Sequence, residues 1–180
     1  IAHIAALIKA ARAAGVPVVY TAQNGDQFRP DRGLQADLWG AGMRAIPEHQ
    51  EVLAALAPTS DDIVLVKHRY SAFQRSNLET LMRARGRDQL LITGIYAHIG
   101  CLATAAEAFQ RDIEPFAIAD AQADFSREKH DMAMRKPPRR PLIKPLMWCI
   151  WTSSISVWRP CRLSPAAFWP TPSREDCTFA

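Results

Sequence analysis

Apolar residues at Ile4, Leu7, Ile8 and Ala11 recur at the spacing of one helix face, with Lys9 and Arg12 turned away, which predicts a helix over residues 3–14. Gly15 and Pro17 close it. The β-branched run Val16–Thr21 predicts a buried strand. One grammar then repeats. A helix at Glu48–Leu56 precedes an apolar strand at Ile63–Lys67. A helix at Asn77–Arg85, stopped by Gly86, precedes a strand at Gln89–Thr93. An Ala-rich helix at Ile99–Arg111 precedes a strand at Pro115–Ala119, and a last helix starts at Arg127, capped by Asp124 or Ser126. Strands that are apolar throughout and alternate with helices predict an α/β fold: a doubly wound, mostly parallel sheet with helices on both faces. In such sheets ligands sit at the carboxyl ends of the strands, so the polar residues just beyond each strand are the candidates for chemistry.

Two stretches depart from the pattern. Residues 23–44, rich in Gly, Asp, Gln and Arg, read as a long loop with one helical turn, and loops of that length inside a domain are usually functional. Beyond Met134 the periodicity stops at Pro137 and Pro138. All eight glycines precede Arg135, whereas eight of the 13 prolines, four of the 5 tryptophans and three of the 4 cysteines follow Met134. Residues 1–134 therefore read as the domain. Residues 135–180 read as an irregular Pro/Trp/Arg-rich tail, either a shifted reading frame or a mobile Pro-rich extension.

Composition narrows the picture. A 180-residue chain with 48% apolar content can bury one real core. The net charge of +4 divides unevenly: residues 1–134 carry 14 Lys+Arg against 16 Asp+Glu, and residues 135–180 carry 8 against 2. A nucleic-acid partner would rest on the tail alone, and none is expected. No run of eighteen apolar residues suggests a membrane span, and no secretory pattern opens the chain. Cys101, Cys149, Cys161 and Cys177 show no C-x-x-C spacing, so neither a metal site nor a cofactor is expected, and a reduced cytoplasmic setting is the default.

Lys67 ends an apolar strand and opens Lys67-His68-Arg69-Tyr70-Ser71-Ala72-Phe73. It either reaches water, as most strand-end lysines do, or holds a carboxylate or developing negative charge where the sheet presents ligands. Arg69 fits a structural ion pair. Tyr96-Ala97-His98-Ile99-Gly100-Cys101 follows a strand and opens a helix, whose N–H groups favour anions. His98 reads as a structural hydrogen-bonder and Cys101 as a small buried thiol. In the loop, Trp39 fits a wall for a ring-shaped ligand or a core or dimer contact equally well.

These residues together resemble a known family. Tyr20-Thr21-Ala22-Gln23, Gly25-Asp26-Gln27 and Asp37-Leu38-Trp39-Gly40 are similar to the isochorismatase loop. The segment beginning at Lys67 resembles its Lys-x-Arg-Tyr-Ser-Ala-Phe motif. Gly86-Arg87-Asp88-Gln89-Leu90 with Gly94-Ile95-Tyr96-Ala97-His98-Ile99-Gly100-Cys101 is the most specific match. Asp112-Ile113-Glu114-Pro115-Phe116 and Ala119-Asp120-Ala121, followed by Ala123-Asp124-Phe125-Ser126, extend it to about residue 134.

The resemblance to the isochorismatase family, in the cysteine-hydrolase superfamily, implies the doubly wound fold, here lacking its first strand, which would lie before Ile1. It implies hydrolysis of the enolpyruvyl vinyl ether of isochorismate to 2,3-dihydro-2,3-dihydroxybenzoate and pyruvate, as in catechol siderophore biosynthesis. Alternatives are an inactive truncated remnant or binding protein of the same fold, and a phenazine-pathway relative acting on the amino analogue. The amidase members use an Asp, a Lys and a nucleophilic Cys. The Cys position corresponds to Gly100, and Cys101 points about 100° away around a helix. By position, Lys67 and Gly100 match catalytic residues, and Gln23, Arg32, Trp39 and Tyr96 match substrate contacts. Arg32 and Lys67 would meet carboxylates, Trp39 and Tyr96 would pack on the ring and its side arm, and Gly100 would leave room for that arm. The family's acid is an Asp at the end of its first strand, so the chain as given is expected to be inactive. The resemblance further implies a cis Ile95–Tyr96 peptide, a small-molecule substrate and a homo-oligomer.

Overall fold

A computed structural model describes residues 1–135 and, as backbone, residues 148–153. Helix α1 (Ala2–Ala13) leads into strand β1 (Val18–Ala22). Short helices α2 (Arg29–Arg32), α3 (Gln35–Trp39) and α4 (Pro47–Gln50) and a 3-10 turn at Ala54–Leu56 precede β2 (Ile63–Val66). Helix α5 (Leu78–Ala84) leads to β3 (Gln89–Gly94). A π-helical turn at Ala97–Cys101 runs into α6 (Leu102–Gln110), followed by β4 (Glu114–Gln122), α7 (Arg127–Arg135) and β5 (Trp148–Ser153).

The five strands form one parallel sheet in the order β2-β1-β5-β3-β4. Side-chain alternation sends neighbouring residues to opposite faces. Val19, Leu90 and Ile92 join Leu78, Met82, Cys101, Ala105 and Ala108 in one core, under α5 and α6. Val18, Tyr20 and Leu91 join Ile4, Ile8 and Ala11 of α1 in the other. The sheet is thus covered on both faces, as the apolar strands predict. No helix among the described residues is long and apolar enough to cross a membrane.

Several local expectations change. The helix expected over Glu48–Leu56 divides, because Glu51 and Leu53 are extended (ψ 133° in both). Tertiary bonds hold the two pieces: Gly25 N–H donates to Gln50 Oε1 and the Tyr20 hydroxyl to the Leu56 carbonyl. The loop over 23–44 contains two short helices instead of one turn. The strand expected at Pro115–Ala119 runs from Glu114 to Gln122. Strand β2 lies at the sheet edge, so Val64 and Val66 are exposed although the run is wholly apolar. Ser126 is the cap of α7, accepting from Lys129 N–H, while Asp124 is used elsewhere.

The largest departure concerns the sheet centre. A strand leading into α1 and then β1 by a right-handed crossover would lie beside β1. That place, between β1 and β3, is held by β5, with Val18 opposite Ile150 and Gln89 opposite Trp148. The reading of 135–180 as irregular throughout is therefore corrected at 148–153. A central parallel slot satisfies backbone groups on both sides of whatever strand enters it, which outweighs the lack of periodicity around that segment. The rest of the tail lies outside the described residues.

Candidate active site

The strand order reverses around β5, so the carboxyl ends of β1, β2, β3 and β4 surround one mouth. Lys67 follows β2. Its N–H donates to the Ala22 carbonyl (2.7 Å), and its own carbonyl accepts from Gln27 Nε2 (3.0 Å). The side chain is buried, and its amine rests on the π-helical turn: a Cβ built on Gly100 would stand 2.6 Å from Lys67 Nζ and 3.5 Å from the Tyr70 carbonyl. Lys67 therefore does not reach water. Gly100 makes room for the lysine itself, where the resemblance had assigned that room to a substrate arm. Burial pulls the Lys67 amine from 10.5 down to about 8, with Cys101 opposing. The same burial pushes the Cys101 thiol up to about 12, with Lys67 opposing. Cys101 is a neutral core residue.

A threonine couples the two elements. Thr104, fully buried, donates from Oγ1 to the Gly100 carbonyl (2.7 Å) and accepts from Ala72 N–H (3.0 Å). It ties the segment after Lys67 to the turn that carries Gly100.

At the other strand ends, the register shifts between Ile92 and Gly94 where β3 meets β4. Ala123 N–H donates to Gly94 and Ala97 N–H to Ala123, which folds the two loops together. The Asp124 side chain is fully enclosed; it accepts from His98 N–H (2.7 Å), from Phe125 N–H (2.8 Å) and from His98 Nδ1, 2.6 and 2.7 Å from its two oxygens. The anion expected at this helix mouth is thus the protein's own carboxylate. His98 is the structural hydrogen-bonder anticipated. Tyr96 stacks on Phe125 with ring centroids 3.9 Å apart, and its hydroxyl is held above its usual range by burial and then by Asp124. The Ile95–Tyr96 peptide is cis.

The loop over 23–44 closes the third side. Arg32 is 6% exposed; its Nε donates to the Gly40 carbonyl (2.7 Å), and no described carboxylate pairs with it. Burial lowers its pKa, with Tyr70 opposing. Arg69 makes no ion pair among the described residues; its Nη1 donates to the carbonyls of Asp31, Arg32 and His68 and so binds the loop to the segment after β2. Trp39 Nε1 donates to the Tyr70 hydroxyl (2.5 Å). Trp39 is half-buried, so it is not a core residue, and this bond ties it to the segment after β2. Gln23 follows β1 directly, half-buried, and makes no side-chain hydrogen bond among the described residues.

The structure thus places Lys67 against Gly100, links Trp39 to both through Tyr70, and links Arg32 to them through Arg69. Tyr96 lies on the turn leading to Gly100. Tyr70, Gln27, Thr104 and Asp124 are neighbours of the candidate site that periodicity does not reveal. The family-like motifs contain Tyr70, Gln27 and Asp124, but none contains Thr104. Among the described residues no group of three or more His, Cys, Asp or Glu could hold a metal ion.

Fold and site define a doubly wound α/β protein in which the buried Lys67 amine rests against Gly100 at the strand ends, and the described thiol, Cys101, is a neutral core residue. An isochorismatase domain model matches residues 1–137, and the chain belongs to that family. It is 59% identical over 120 residues to an isochorismatase of Bacillus subtilis (strain 168), covering 67% of this chain and 38% of that protein. It is 54% identical over 135 residues to enterobactin synthase component B of Escherichia coli (strain K12), covering 75% and 47%. The chain spans less than half the length of these two relatives. Among solved structures, a cysteine hydrolase from Pseudomonas syringae pv. phaseolicola 1448A superposes with a TM-score of 0.66 at 28% identity, over 81% of this chain and 72% of that one.

Proposed function

We propose that this cleft takes isochorismate and serves hydrolysis of its enolpyruvyl vinyl ether. The observation that carries the reading is the seat of Lys67. Its amine lies 2.6 Å from a Cβ built at position 100, so a nucleophilic side chain there would have to displace the lysine, and in this chain a buried cation stands at that place. Arg32, buried without a described carboxylate partner, supplies a second positive group. Two cations suit a substrate with two carboxylates. Trp39 and Tyr96 wall the ring and the enolpyruvyl arm, and Gln23 offers its amide to a ring hydroxyl.

The chemistry follows from the vinyl ether. A carboxylic acid donates a proton to the methylene carbon, water adds to the resulting oxocarbenium carbon and loses a proton, and the hemiketal collapses. The bond from that carbon to the ring oxygen breaks, the ring oxygen takes a proton, and pyruvate leaves with 2,3-dihydro-2,3-dihydroxybenzoate. Asp124, the carboxyl at this mouth, is engaged as an acceptor from two N–H groups and His98. Strand β5, at the sheet centre, ends in Thr152-Ser153, whose hydroxyls are far too weak as acids to protonate carbon. In this proposal the described residues of the chain supply the binding half of the site. Residues 1–180 are expected to bind isochorismate in a calorimetric titration while releasing no pyruvate above background in a lactate-dehydrogenase-coupled assay. Clear turnover would sink the claim about the missing acid; absence of binding would sink the site.

The homo-oligomer belongs to the same proposal. Phe28, Leu34 and Leu38 are 70%, 85% and 63% exposed on one segment, an apolar surface suited to a second copy. Sedimentation velocity showing only monomer would remove it.

A further inference from the structure

We infer that Gly42 is a positioning residue for Arg32 and, through it, a determinant of carboxylate recognition; this rests on the reading of Arg32 as a substrate-binding cation. A Cβ built on Gly42 would stand 2.6 Å from Arg32 Nη1, 2.7 Å from Cζ and 2.9 Å from Nη2. The three distances are nearly equal, so the flat face of the guanidinium covers the glycine rather than meeting it edge-on. Non-bonded heavy atoms settle at about 3.5–4.0 Å, so no side chain at position 42 coexists with Arg32 in this place. One edge of the same guanidinium is pinned by Nε donating to the Gly40 carbonyl. The turn over residues 40–42 therefore gives Arg32 an acceptor and a bare floor. Both Nη atoms remain without a hydrogen bond to any described group, although the residue is 6% exposed. A largely buried guanidinium whose two Nη donors still reach solvent is the geometry that meets a carboxylate side-on.

This arrangement explains how a buried arginine is held without a counter-ion among the described residues. A carboxylate partner would neutralise the charge and compete with ligand. A carbonyl and a glycine α-carbon hold the same group in one orientation and leave its charge available to the ligand.

Gly42 has φ +84°, so an alanine there also strains the backbone, and the test must separate the two effects. Gly86 provides the control. It lies after α5, away from the cleft, with φ +60° and nothing within 4 Å of a built Cβ. In the chain of residues 1–180, Gly42→Ala, Gly86→Ala, Arg32→Ala and the doubles Arg32→Ala/Gly42→Ala and Arg32→Ala/Gly86→Ala are compared. Each is titrated calorimetrically with 2,3-dihydroxybenzoate and unfolded in urea.

The expected result is parental affinity for Gly86→Ala and a loss of about tenfold or more for Gly42→Ala, approaching that of Arg32→Ala. The double at 32 and 42 should bind no more weakly than Arg32→Ala alone. Gly42→Ala should be less stable than Gly86→Ala, yet in the Arg32→Ala background the two glycine variants should have matching urea midpoints, since the guanidinium is gone. This stability comparison reads the contact even if Gly42→Ala alone does not fold. If Gly42→Ala binds like Gly86→Ala while Arg32→Ala loses binding, the inference falls and the proposed site stands. An uneven stability penalty that survives in the Arg32→Ala background also overturns the inference. If Arg32→Ala binds like the parent, or the parent binds nothing, the proposed site falls and the inference with it.

Discussion

Lys67 concentrates the physics of the site in one side chain. A lysine with its pKa near 8 in the folded protein and 10.5 when exposed costs stability whenever it is charged. Between those values the unfolded chain binds a proton that the folded chain does not, so stability rises with pH across that window and is lowest below it. The gain is at most roughly 3 kcal/mol. Urea unfolding at pH 7.5 and 9.5 should show Lys67→Met more stable than the parent at the lower pH, with the gap shrinking at the higher. A gap independent of pH would contradict the buried-lysine account. Ligand binding gives the opposite sign. An anion raises the lysine pKa, so affinity should fall as pH rises through about 8, and binding near pH 8 should take up protons. Titrations in two buffers of different ionisation enthalpy would measure that uptake.

At the scale of elements, the cleft depends on how neighbouring pieces are fastened. The turn at Ala97–Cys101 widens to π-helical geometry and leads into α6, and Thr104 accommodates the change by capping the Gly100 carbonyl. The same hydroxyl accepts from Ala72, so one residue holds the seat of Lys67 together. Thr104→Val keeps the shape but leaves a buried N–H and a buried carbonyl without that partner. It should cost about 1–3 kcal/mol in chemical denaturation. Crosspeaks of Ala72 and Gly100 should shift, while those of α1 on the opposite face stay in place. A neutral effect would mean that packing alone sets the turn. Arg69 does comparable work for the loop over 23–44, replacing the ion pair expected from its charge with three carbonyl contacts.

At the scale of the molecule, β5 decides whether the sheet is continuous. Without it, β1 and β3 would face each other across a gap with unpaired backbone groups on both sides. The segment over 148–153 has the aromatic and β-branched residues that such a slot favours. A chain ended after residue 147 should lose its cooperative thermal transition by circular dichroism, whereas residues 1–180 should retain one. Equal melts for both would show that β5 contributes nothing to the folded state.

Periodicity alone specified the main alternation of helices and strands and the two-sided cover of the sheet, because burial patterns are local and repeat. The Lys67 and Gly100 motifs were equally legible as residue types. Their meeting was not: one follows β2, the other follows β3, and only folding brings an amine over a missing Cβ. The roles of Arg69, Asp124 and Gly42 were hidden for the same reason, since each acts through a partner distant in sequence or across a turn whose path periodicity does not describe. The place of β5 was least legible of all. A strand with no favourable neighbours in sequence becomes central when two others present unpaired backbone groups to it, and that demand exists only in three dimensions.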